Sequence, residues 1–332
     1  MDNGIVKTKR FREKETTERN PKRSGNHKRR VMRVLFILSF IIIPIVHFCV
    51  FYIYANFNSF VMAFQKPVSG KIEFCGLDNF KWVIEKIVHG SIDETEDLGL
   101  AFRNTFLTFG IQMIMLPVSL LISYFIYKKI KGYKVFRVLF YIPSLVSAVV
   151  VCIFYTELMG PTGPVAHLLQ KIYRLEYLPS PLVDERFANS MVFINLIWLG
   201  FPGNLIIWGG SFSRIPDSVI ESARMDGVSW IREMFQIILP LVWPTFVLVI
   251  ITSLAGMFGA SGNVFLLTGG GKYGTQTLSN WMYLRVQQSS VPERSPNLYR
   301  VSAMGLMLTV VSCIVAFTVR RFLTSKIEET TY

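Results

Sequence analysis

Six long apolar runs constrain the fold of this sequence more than any other feature. A helix needs about 20 consecutive apolar residues to cross the hydrocarbon core of a membrane. Six stretches of roughly that length occur along the chain, at residues 31–54, 106–127, 138–155, 191–208, 239–260 and 301–319. The sequence therefore predicts an all-α membrane protein with six transmembrane helices.

The composition agrees with this interpretation. Apolar residues make up 51% of the 332 residues, and charged residues make up only 17%, against about a quarter in an average soluble domain. Prolines lie in or near five of the runs, at Pro44, Pro117, Pro143, Pro202 and Pro244. Membrane bundles tolerate such prolines because neighbouring helices satisfy the freed backbone groups.

The first run has an alternative interpretation as a cleaved signal peptide. Residues 31–54 are longer than the apolar region of a signal peptide, and no small-x-small cleavage site follows them. We therefore interpret residues 31–54 as a retained first transmembrane helix.

The positive charge of the chain is concentrated at its beginning. Residues 1–33 hold twelve lysines and arginines against four acids, so they supply +8 of the formal net charge of +13. A strong positive charge can indicate nucleic-acid binding. A basic tail before an apolar run is more typical of an orientation signal or an anionic-lipid contact. We interpret residues 1–30 as a basic, disordered cytoplasmic tail.

Lysine and arginine density predicts the orientation of the helices. With the N-terminus inside, the inner segments are residues 127–137, 214–239 and 320–332. The outer segments are residues 55–105, 159–188 and 263–300. The inner segments hold 11 lysines and arginines in 50 residues, and the outer segments hold 12 in 119. We expect a multi-pass protein of the plasma membrane with both termini in the cytoplasm.

The predicted spans lack the ionisable residues that mark proton relays. His47 is alone in the first span, and Glu157 lies at the outer end of the third. Sodium coupling through backbone carbonyls stays open. Zinc-protease and serine-hydrolase motifs are absent from the sequence. We therefore expect no enzyme activity, no cofactor and no metal site.

A glycine-rich stretch at residues 268–272 superficially resembles a phosphate-binding loop. Lys272 is followed by Tyr273, and Leu266 occupies the position of the first glycine in that motif. We interpret the stretch as a flexible turn. The protein must then obtain energy from a partner or conduct passively.

The inner loop between the fourth and fifth runs predicts two short helices. Residues 217–225 suit a helix whose first turn Asp217 favours. Gly227 can adopt positive φ and end that helix. Residues 229–238 suit a second helix that leads into the fifth span. The two helices and the glycine form a compact projection from the membrane surface.

This loop resembles the EAA loop of binding-protein-dependent importers of the ATP-binding-cassette class. The pattern is Glu-Ala-Ala, three residues, Gly, nine residues and Ile-x-Leu-Pro. It is matched without a gap by Glu221, Ala223, Gly227, Ile237, Leu239 and Pro240. Ser222 replaces the middle alanine.

Further elements look like those of sugar-type permeases, in the same order along the chain. They are Phe74, Gly76, Leu77, Asn79 and Phe80; Asn104 and Thr105; Leu267 to Gly271 with Thr275 and Tyr283; and Ser302 with Ala303. Lys272 departs from the pattern, because family members often have proline there. The resemblance spans residues 74 to about 323 and points to the maltose-transporter-like, carbohydrate-uptake branch.

The resemblance implies the fold of a type I importer transmembrane domain. On this basis the first helix, residues 31–54, is followed by an extracellular loop at residues 55–100. Five further helices form a permease core at residues 101–323, which includes the coupling loop at residues 214–240. Residues 324–332 form a cytoplasmic tail.

The resemblance also implies partners and a coupling mechanism. Two permease subunits, expected to form a heterodimer, two ATPase subunits and an extracellular solute-binding protein would form the importer. The coupling residues carried over are Glu221, Ser222, Ala223, Asp226, Gly227 and Pro240. ATP hydrolysis in the separate ATPase would move this loop and switch the bundle between inward-facing and outward-facing states.

The expected substrate site lies between helices near the middle of the membrane. A sugar needs hydrogen-bonding groups and flat apolar faces. The fourth span offers Asn195, Trp198 and Gly203. The fifth span offers Ser253, Met257 and Ser261, whose spacing of four residues predicts that they share one helix face. The resemblance places binding residues close to Gly203, Ser253 and Met257. Bundle packing is the alternative role, because small and polar residues also join membrane helices.

Three functions follow from these patterns. The sequence favours the permease subunit of an ATP-driven importer of a mono- or oligosaccharide. An importer of the same architecture for a non-sugar solute is the first alternative. A channel or carrier that needs no ATPase is the second.

Overall fold

The computed structural model describes residues 22–68, 70–89, 98–174, 177, 179–259, 263–287 and 295–324. The chain divides into two compact units, residues 1–59 and residues 60–332. Most of the predicted basic tail, at residues 1–21, and residues 325–332 of the predicted C-terminal tail lie outside the described residues.

The first unit is dominated by one helical segment. It consists of α1 (Lys22–Phe48), a π-helical stretch (Cys49–Tyr54) and α2 (Ala55–Met62), whose last residues belong to the second unit. The helix starts at Lys22, so residues 22–30 are helical although the sequence analysis expected them to be disordered. Its large apolar side chains are exposed around the helix, as expected for a span that faces lipid.

The second unit is a helical bundle with one small hairpin. The remaining elements are β1 (Gln65–Val68), β2 (Lys71–Phe74), α3 (Asp78–His89), α4 (Leu98–Tyr127), α5 (Tyr133–Leu145), α6 (Ala148–Leu158), α7 (Pro164–Tyr173), α8 (Ala188–Phe212), α9 (Asp217–Met225), α10 (Trp230–Arg232), a π-helical segment (Glu233–Ile238), α11 (Leu239–Ala255), a 3₁₀ turn (Met257–Gly259), α12 (Val264–Thr268), α13 (Leu278–Gln287) and α14 (Pro296–Thr324).

The helical membrane architecture predicted from the sequence is confirmed. Within the described residues, five helical segments are long and apolar enough to cross a membrane. They are Arg29–Met62, Leu98–Tyr127, Ala188–Phe212, Trp230–Ala255 and Pro296–Thr324. The pair of α5 and α6 raises the number to six if it forms one span.

The third predicted span is not one straight helix. Helices α5 and α6 meet at an angle of 105°. The residues between them, Val146 and Ser147, have extended backbone angles (ψ 145° and 134°). Hydropathy over residues 138–155 did not reveal this break, because the apolar run continues through both helices.

An antiparallel hairpin lies between α2 and α3, in the loop predicted to be outside. Strands β1 and β2 pair Gln65 with Phe74 and Val68 with Lys71. The buried Asn79 side chain donates hydrogen bonds to the carbonyls of Ala63 (2.9 Å) and Gln65 (2.8 Å). This contact gives the Asn of the sugar-permease-like element a structural role.

An ion pair links the same hairpin to the start of α3. The Lys66 ammonium donates a hydrogen bond to the Asp78 carboxylate at 2.9 Å. This hydrogen bond, together with the positive charge of Lys66, lowers the pKa of Asp78 below its usual value. Both side chains are about half exposed, so the pair contributes little to stability.

Helices α4 and α8 form the centre of the bundle. Their closest polar link is the buried Trp208 indole, which donates a hydrogen bond to the Ser119 hydroxyl at 2.9 Å. An apolar cluster around Trp208 joins them to α9, the π-helical segment and α11. Its buried members are Leu116, Leu120, Tyr124, Trp208, Phe212, Ile215, Ile220, Met234, Ile238, Val242 and Val249.

In the structure the glycine-rich stretch continues to residue 278, and buried side chains at the start of α4 hold its second part, residues 274–278. The Asn104 amide donates to the carbonyls of Gly274 (2.8 Å) and Gln276 (2.9 Å). The Thr105 hydroxyl accepts a hydrogen bond from the backbone N–H of Leu278 at 2.8 Å. Three hydrogen bonds therefore tie residues 274–278, which follow the predicted flexible turn at residues 268–272, to α4.

Candidate functional site

The predicted coupling helix forms α9, with the bounds that the sequence analysis gave it. One face of α9 is buried, because Ile220 (6% exposed) and Ala223 (4% exposed) pack inward, Ile220 as a member of the cluster around Trp208. Glu221 and Ser222 lie on the opposite, exposed face. The buried face therefore anchors α9 to the bundle, and the opposite face stays accessible to a partner.

The C-terminus of α9 is a Schellman motif centred on Gly227, which has a φ of +64°. The N–H of Val228 donates to the carbonyl of Ala223, and the N–H of Gly227 donates to the carbonyl of Arg224, each at 3.1 Å. These two hydrogen bonds define the motif and require positive φ at its glycine position. The predicted role of Gly227 in ending the helix is confirmed.

The second half of the loop runs continuously into the fifth span. Helix α10, the π-helical segment Glu233–Ile238 and α11 follow one another without a break. Pro240 is the second residue of α11, inside this continuous helical segment, so its missing N–H removes one backbone hydrogen bond to the preceding turn. The predicted second helix at residues 229–238 is thus present, with a π-helical second part.

The outer surface of the loop combines charge with exposed apolar side chains. The exposed acidic and basic residues of α9 and its end are Asp217, Glu221, Arg224 and Asp226. The large exposed apolar residues are Met225 (88%), Trp230 (51%), Ile231 (53%) and Phe235 (56%). An exposed apolar patch rimmed by charges is typical of a protein-interaction surface.

One contact of this loop was not foreseen. The carboxylate of Glu233, which is 3% exposed, accepts two hydrogen bonds from the Lys128 ammonium, at 2.8 and 2.7 Å. The only signal in the sequence was an acid beside Arg232, where the loop leads into the fifth apolar run. The partner of that acid was not predictable, because 105 positions separate Lys128 and Glu233.

The substrate residues proposed on the fourth span occupy different environments on α8. Asn195 is fully buried and accepts a hydrogen bond from the Asn263 amide at 3.2 Å. Trp198 is 38% exposed, and its ring lies 6.3 Å from that of Tyr155. Gly203 is exposed, with open space where a Cβ would lie. Asn195 thus joins helices, whereas Trp198 and Gly203 are accessible.

The residues proposed on the fifth span do not share one helix face. Helix α11 ends at Ala255, so the half-buried Ser253 lies on it and Met257 lies in the 3₁₀ turn that follows. Met257 packs in a separate cluster that includes Trp281 and Met304. The expected spacing along one α-helical face is therefore wrong for Met257. Ser261 lies outside the described residues.

A groove of about 480 Å³ lies between α5 and α8. Aromatic and aliphatic side chains line it, and Trp198 is the only proposed substrate residue among them. The lining residues are Leu139, Phe140, Pro143, Ile194, Ile197, Trp198, Phe201 and Pro202. A surface of this kind can hold an apolar face of a ligand or of another helix.

Comparison with protein families identifies the core of the chain. The family described as "Binding-protein-dependent transport system inner membrane component" matches residues 115–329. This match covers more than half of the chain and includes α9, the π-helical segment and α11.

Curated relatives include permeases of sugar transport systems. The chain is 23% identical over 278 residues to the arabinooligosaccharides transport system permease protein AraP of Bacillus subtilis, covering 82% of this chain and 83% of AraP. It is 29% identical over 163 residues to the maltose/maltodextrin transport system permease protein MalF of Salmonella typhimurium. That match covers 48% of this chain and only 31% of MalF.

A solved structure shows the same fold. The structure belongs to a bacterial ABC transporter involved in the import of the acidic polysaccharide alginate, and one of its chains aligns with a TM-score of 0.70 at 18% identity. The alignment covers 91% of this chain and 100% of that chain. The protein belongs to the family of inner-membrane components of binding-protein-dependent transport systems, the permeases of ABC importers.

Proposed function

We propose that the protein is the sugar-translocating permease subunit of an ATP-driven importer. It forms half of the translocation pathway beside a second permease subunit. Two ATPase subunits dock on its cytoplasmic side and on that of its partner, and an extracellular solute-binding protein delivers the sugar. The protein itself converts ATPase motion into a change of access across the membrane.

The observation that carries this proposal is the construction of the coupling loop. Helix α9 has a buried apolar face that packs on the bundle and an exposed face that bears Glu221. The Schellman motif at Gly227 fixes its end. A partner that pulls on the exposed face therefore moves the helix together with the apolar cluster behind it, because packed interiors transmit displacement.

The role of the coupling residues follows from their positions. Ala223 packs against the bundle, whereas Glu221, Ser222 and Asp226 face outward and are the groups that meet the ATPase. Gly227 sets the turn after the helix. Pro240 lies where the loop enters the fifth span.

The substrate class rests on the relatives. AraP is a permease of an arabinooligosaccharides transport system, and MalF is a permease of a maltose/maltodextrin transport system. We extend the class, a neutral oligosaccharide or its component sugar, to this chain. Trp198 and Gly203 on α8 and Ser253 on α11 are the proposed contacts, with Asn195 and Met257 holding the helices around them.

A coupling experiment tests the ATPase part of the proposal. The tagged protein, purified from its native host in detergent, should bring an ATPase with it and hydrolyse ATP. Glu221→Lys should abolish that association, because it reverses the charge on the exposed face of α9. Glu73→Gln, an exposed change on the hairpin, serves as the control. Association that survives Glu221→Lys unchanged contradicts the assigned docking surface.

A transport experiment tests the substrate part. The complex, reconstituted in proteoliposomes with its solute-binding protein, should take up labelled sugars from a panel of mono- and oligosaccharides in the presence of internal ATP. ATP-dependent uptake of amino acids or peptides, with no uptake of any sugar, would reject the sugar and leave the importer architecture in place. Uptake without ATP would indicate a channel or carrier instead.

A further inference from the structure

The ion pair between Lys128 and Glu233 lies at a mechanically central position. Lys128 directly follows α4, and its backbone N–H still donates to the carbonyl of Tyr124 at 2.9 Å. Glu233 is the first residue of the π-helical segment that connects the coupling helices to α11. The pair therefore joins the end of one transmembrane helix to the coupling loop.

The surroundings of the pair make it a strong and specific contact. The Glu233 side chain is 3% exposed and the Lys128 side chain is 18% exposed. The Lys128 ammonium lies 5.9 Å from the centre of the buried Tyr124 ring. Met234, the next residue, is 1% exposed and belongs to the apolar cluster around Trp208. The buried Glu233 carboxylate therefore depends on Lys128 for charge compensation while the loop stays in place.

The connection continues from α4 into the bundle. Helix α4 packs along α8, and the hydrogen bond from Trp208 to Ser119 links them in the interior. Through the peptide chain, the coupling loop reaches only α8, at its beginning, and α11, at its end. Apolar side chains of the loop, such as Ile220 and Met234, already pack against α4 in the cluster around Trp208. The ion pair adds a charged contact to α4, which is far from the loop in the sequence.

The irregular π-helical segment is the reason why the ion pair matters in addition to the connections through the peptide chain. Single π-helical turns are local irregularities that often occur at functional sites. Residues 233–238 therefore form a less regular junction between the coupling helices and α11. A contact at the first residue of that junction holds it against α4 while the loop moves.

We propose that Lys128 and Glu233 are positioning residues for energy coupling, which tether the coupling loop to α4. Movement that the ATPase imposes on α9 then reaches the α4–α8 pair as well as α11. Loss of the tether leaves the docking surface intact and leaves only apolar contacts between the loop and α4, so that movement of α9 reaches α4 less completely. The inference rests on the proposed function, since it needs an ATPase that acts on this loop.

Four variants of the full complex test the tether. Lys128→Met and Glu233→Gln each remove one charge. The double variant with both changes removes the pair without leaving a buried charge, which keeps the fold stable. The fourth variant, Lys128→Glu with Glu233→Lys, reverses the pair. Lys131→Met, an exposed neighbour of Lys128, removes the same kind of charge as a control.

The measured quantity is the number of solute molecules taken up per ATP hydrolysed in proteoliposomes. We expect the single and double neutral variants to keep ATP hydrolysis and lose about fivefold or more in this ratio, the lower end of typical coupling effects. The reversed pair should regain a large part of the loss, and Lys131→Met should match the unmodified protein. A merely structural role would change protein yield and not the ratio.

Two outcomes separate this inference from the proposed function. If the unmodified complex couples uptake to ATP and the double neutral variant does so with the same ratio, the tether is rejected and the proposed function stands. If the unmodified protein neither binds an ATPase nor transports in response to ATP, both are overturned.

Discussion

Gly227 shows how a single residue can set the shape of the coupling loop. Its φ of +64° lies in the left-handed region, which costs a residue with a side chain about 1–2 kcal/mol, less for asparagine. Its environment is open, since a Cβ would meet no atom within 4 Å. The constraint at this position is therefore conformational and not steric.

Gly227→Val should reduce coupling more than Gly227→Asn. Valine is β-branched and strained at positive φ, so it displaces the Schellman motif, whereas asparagine tolerates this conformation. Uptake per ATP hydrolysed should fall in the valine variant and stay close to that of the unmodified protein in the asparagine variant. Equal ratios in the two variants would contradict the conformational role.

Asn104 is a buried residue whose side chain forms hydrogen bonds to the backbone of another segment. It is 1% exposed and serves two carbonyls of the glycine-rich stretch. The Gly274 carbonyl also accepts a hydrogen bond from Asn189 at 2.8 Å. The Gly274 carbonyl therefore keeps a partner when Asn104 is replaced, whereas the Gln276 carbonyl loses the hydrogen bond that Asn104 donates to it.

Asn104→Leu should lower the free energy of unfolding by about 1–3 kcal/mol, because it removes two hydrogen bonds from part-buried carbonyls. A thermal unfolding experiment on the purified complex would show this as a lower midpoint temperature. Arg103→Ala changes the adjacent, exposed residue and should leave the midpoint unchanged. A similar midpoint for both variants would show that the two hydrogen bonds are not needed.

At the scale of elements, the glycine-rich stretch is a compact turn built on the start of α4. Four of its glycines have positive φ: Gly269, Gly270, Gly271 and Gly274. Gly271 is also confined, because a Cβ there would lie 2.7 Å from the Cα of Gln276. Gly269 has open space instead. The stretch therefore contains a matched pair of glycines, one confined and one free.

Gly271→Ala should destabilise the protein more than Gly269→Ala. Both changes carry the strain of positive φ, roughly 1–2 kcal/mol, and only the first adds a backbone clash. Thermal unfolding of the two variants in the same detergent compares them directly. An equal loss of stability in both would indicate that the turn opens freely to admit the methyl group.

The broken third span illustrates another property of elements. Helices α5 and α6 are bent by 105° around Val146 and Ser147. The bend gives α5 its own direction and lets it form one wall of the groove beside α8. The sequence predicted one straight span at residues 138–155 and therefore did not predict this surface.

At the scale of the whole molecule, the family assignment identifies an inner-membrane permease, and its orientation is our proposal. The charge distribution places the coupling loop in the cytoplasm and the hairpin outside. Met225 is 88% exposed on the loop, and Lys71 is exposed on the hairpin. These two residues report on opposite sides of the membrane.

Cysteine labelling in intact cells should distinguish the two sides. In a background in which the native cysteines are replaced by alanine, Lys71→Cys should react with an impermeant thiol reagent. Met225→Cys should react only after the membrane is opened. The reversed pattern would place the coupling loop outside and would exclude contact with a cytoplasmic ATPase.

The sequence alone determined the parts of this protein that depend on neighbouring residues. Contiguous apolar runs predicted where the membrane-spanning segments lie, because a bilayer selects for length and hydropathy, although they did not predict the break in the third segment. The spacing from Glu221 to Pro240 predicted a coupling loop, and Gly227 indicated the end of its first helix. Each of these features is carried by a few consecutive residues.

Only the tertiary structure decided which distant residues meet. Lys128 pairs with Glu233 across 105 positions, and Asn104 reaches Gly274 across 170. It also separated Met257 from the helix that carries Ser253. Such contacts depend on how the helices pack. No local pattern of hydropathy or helix propensity specifies which buried polar groups form hydrogen bonds with each other.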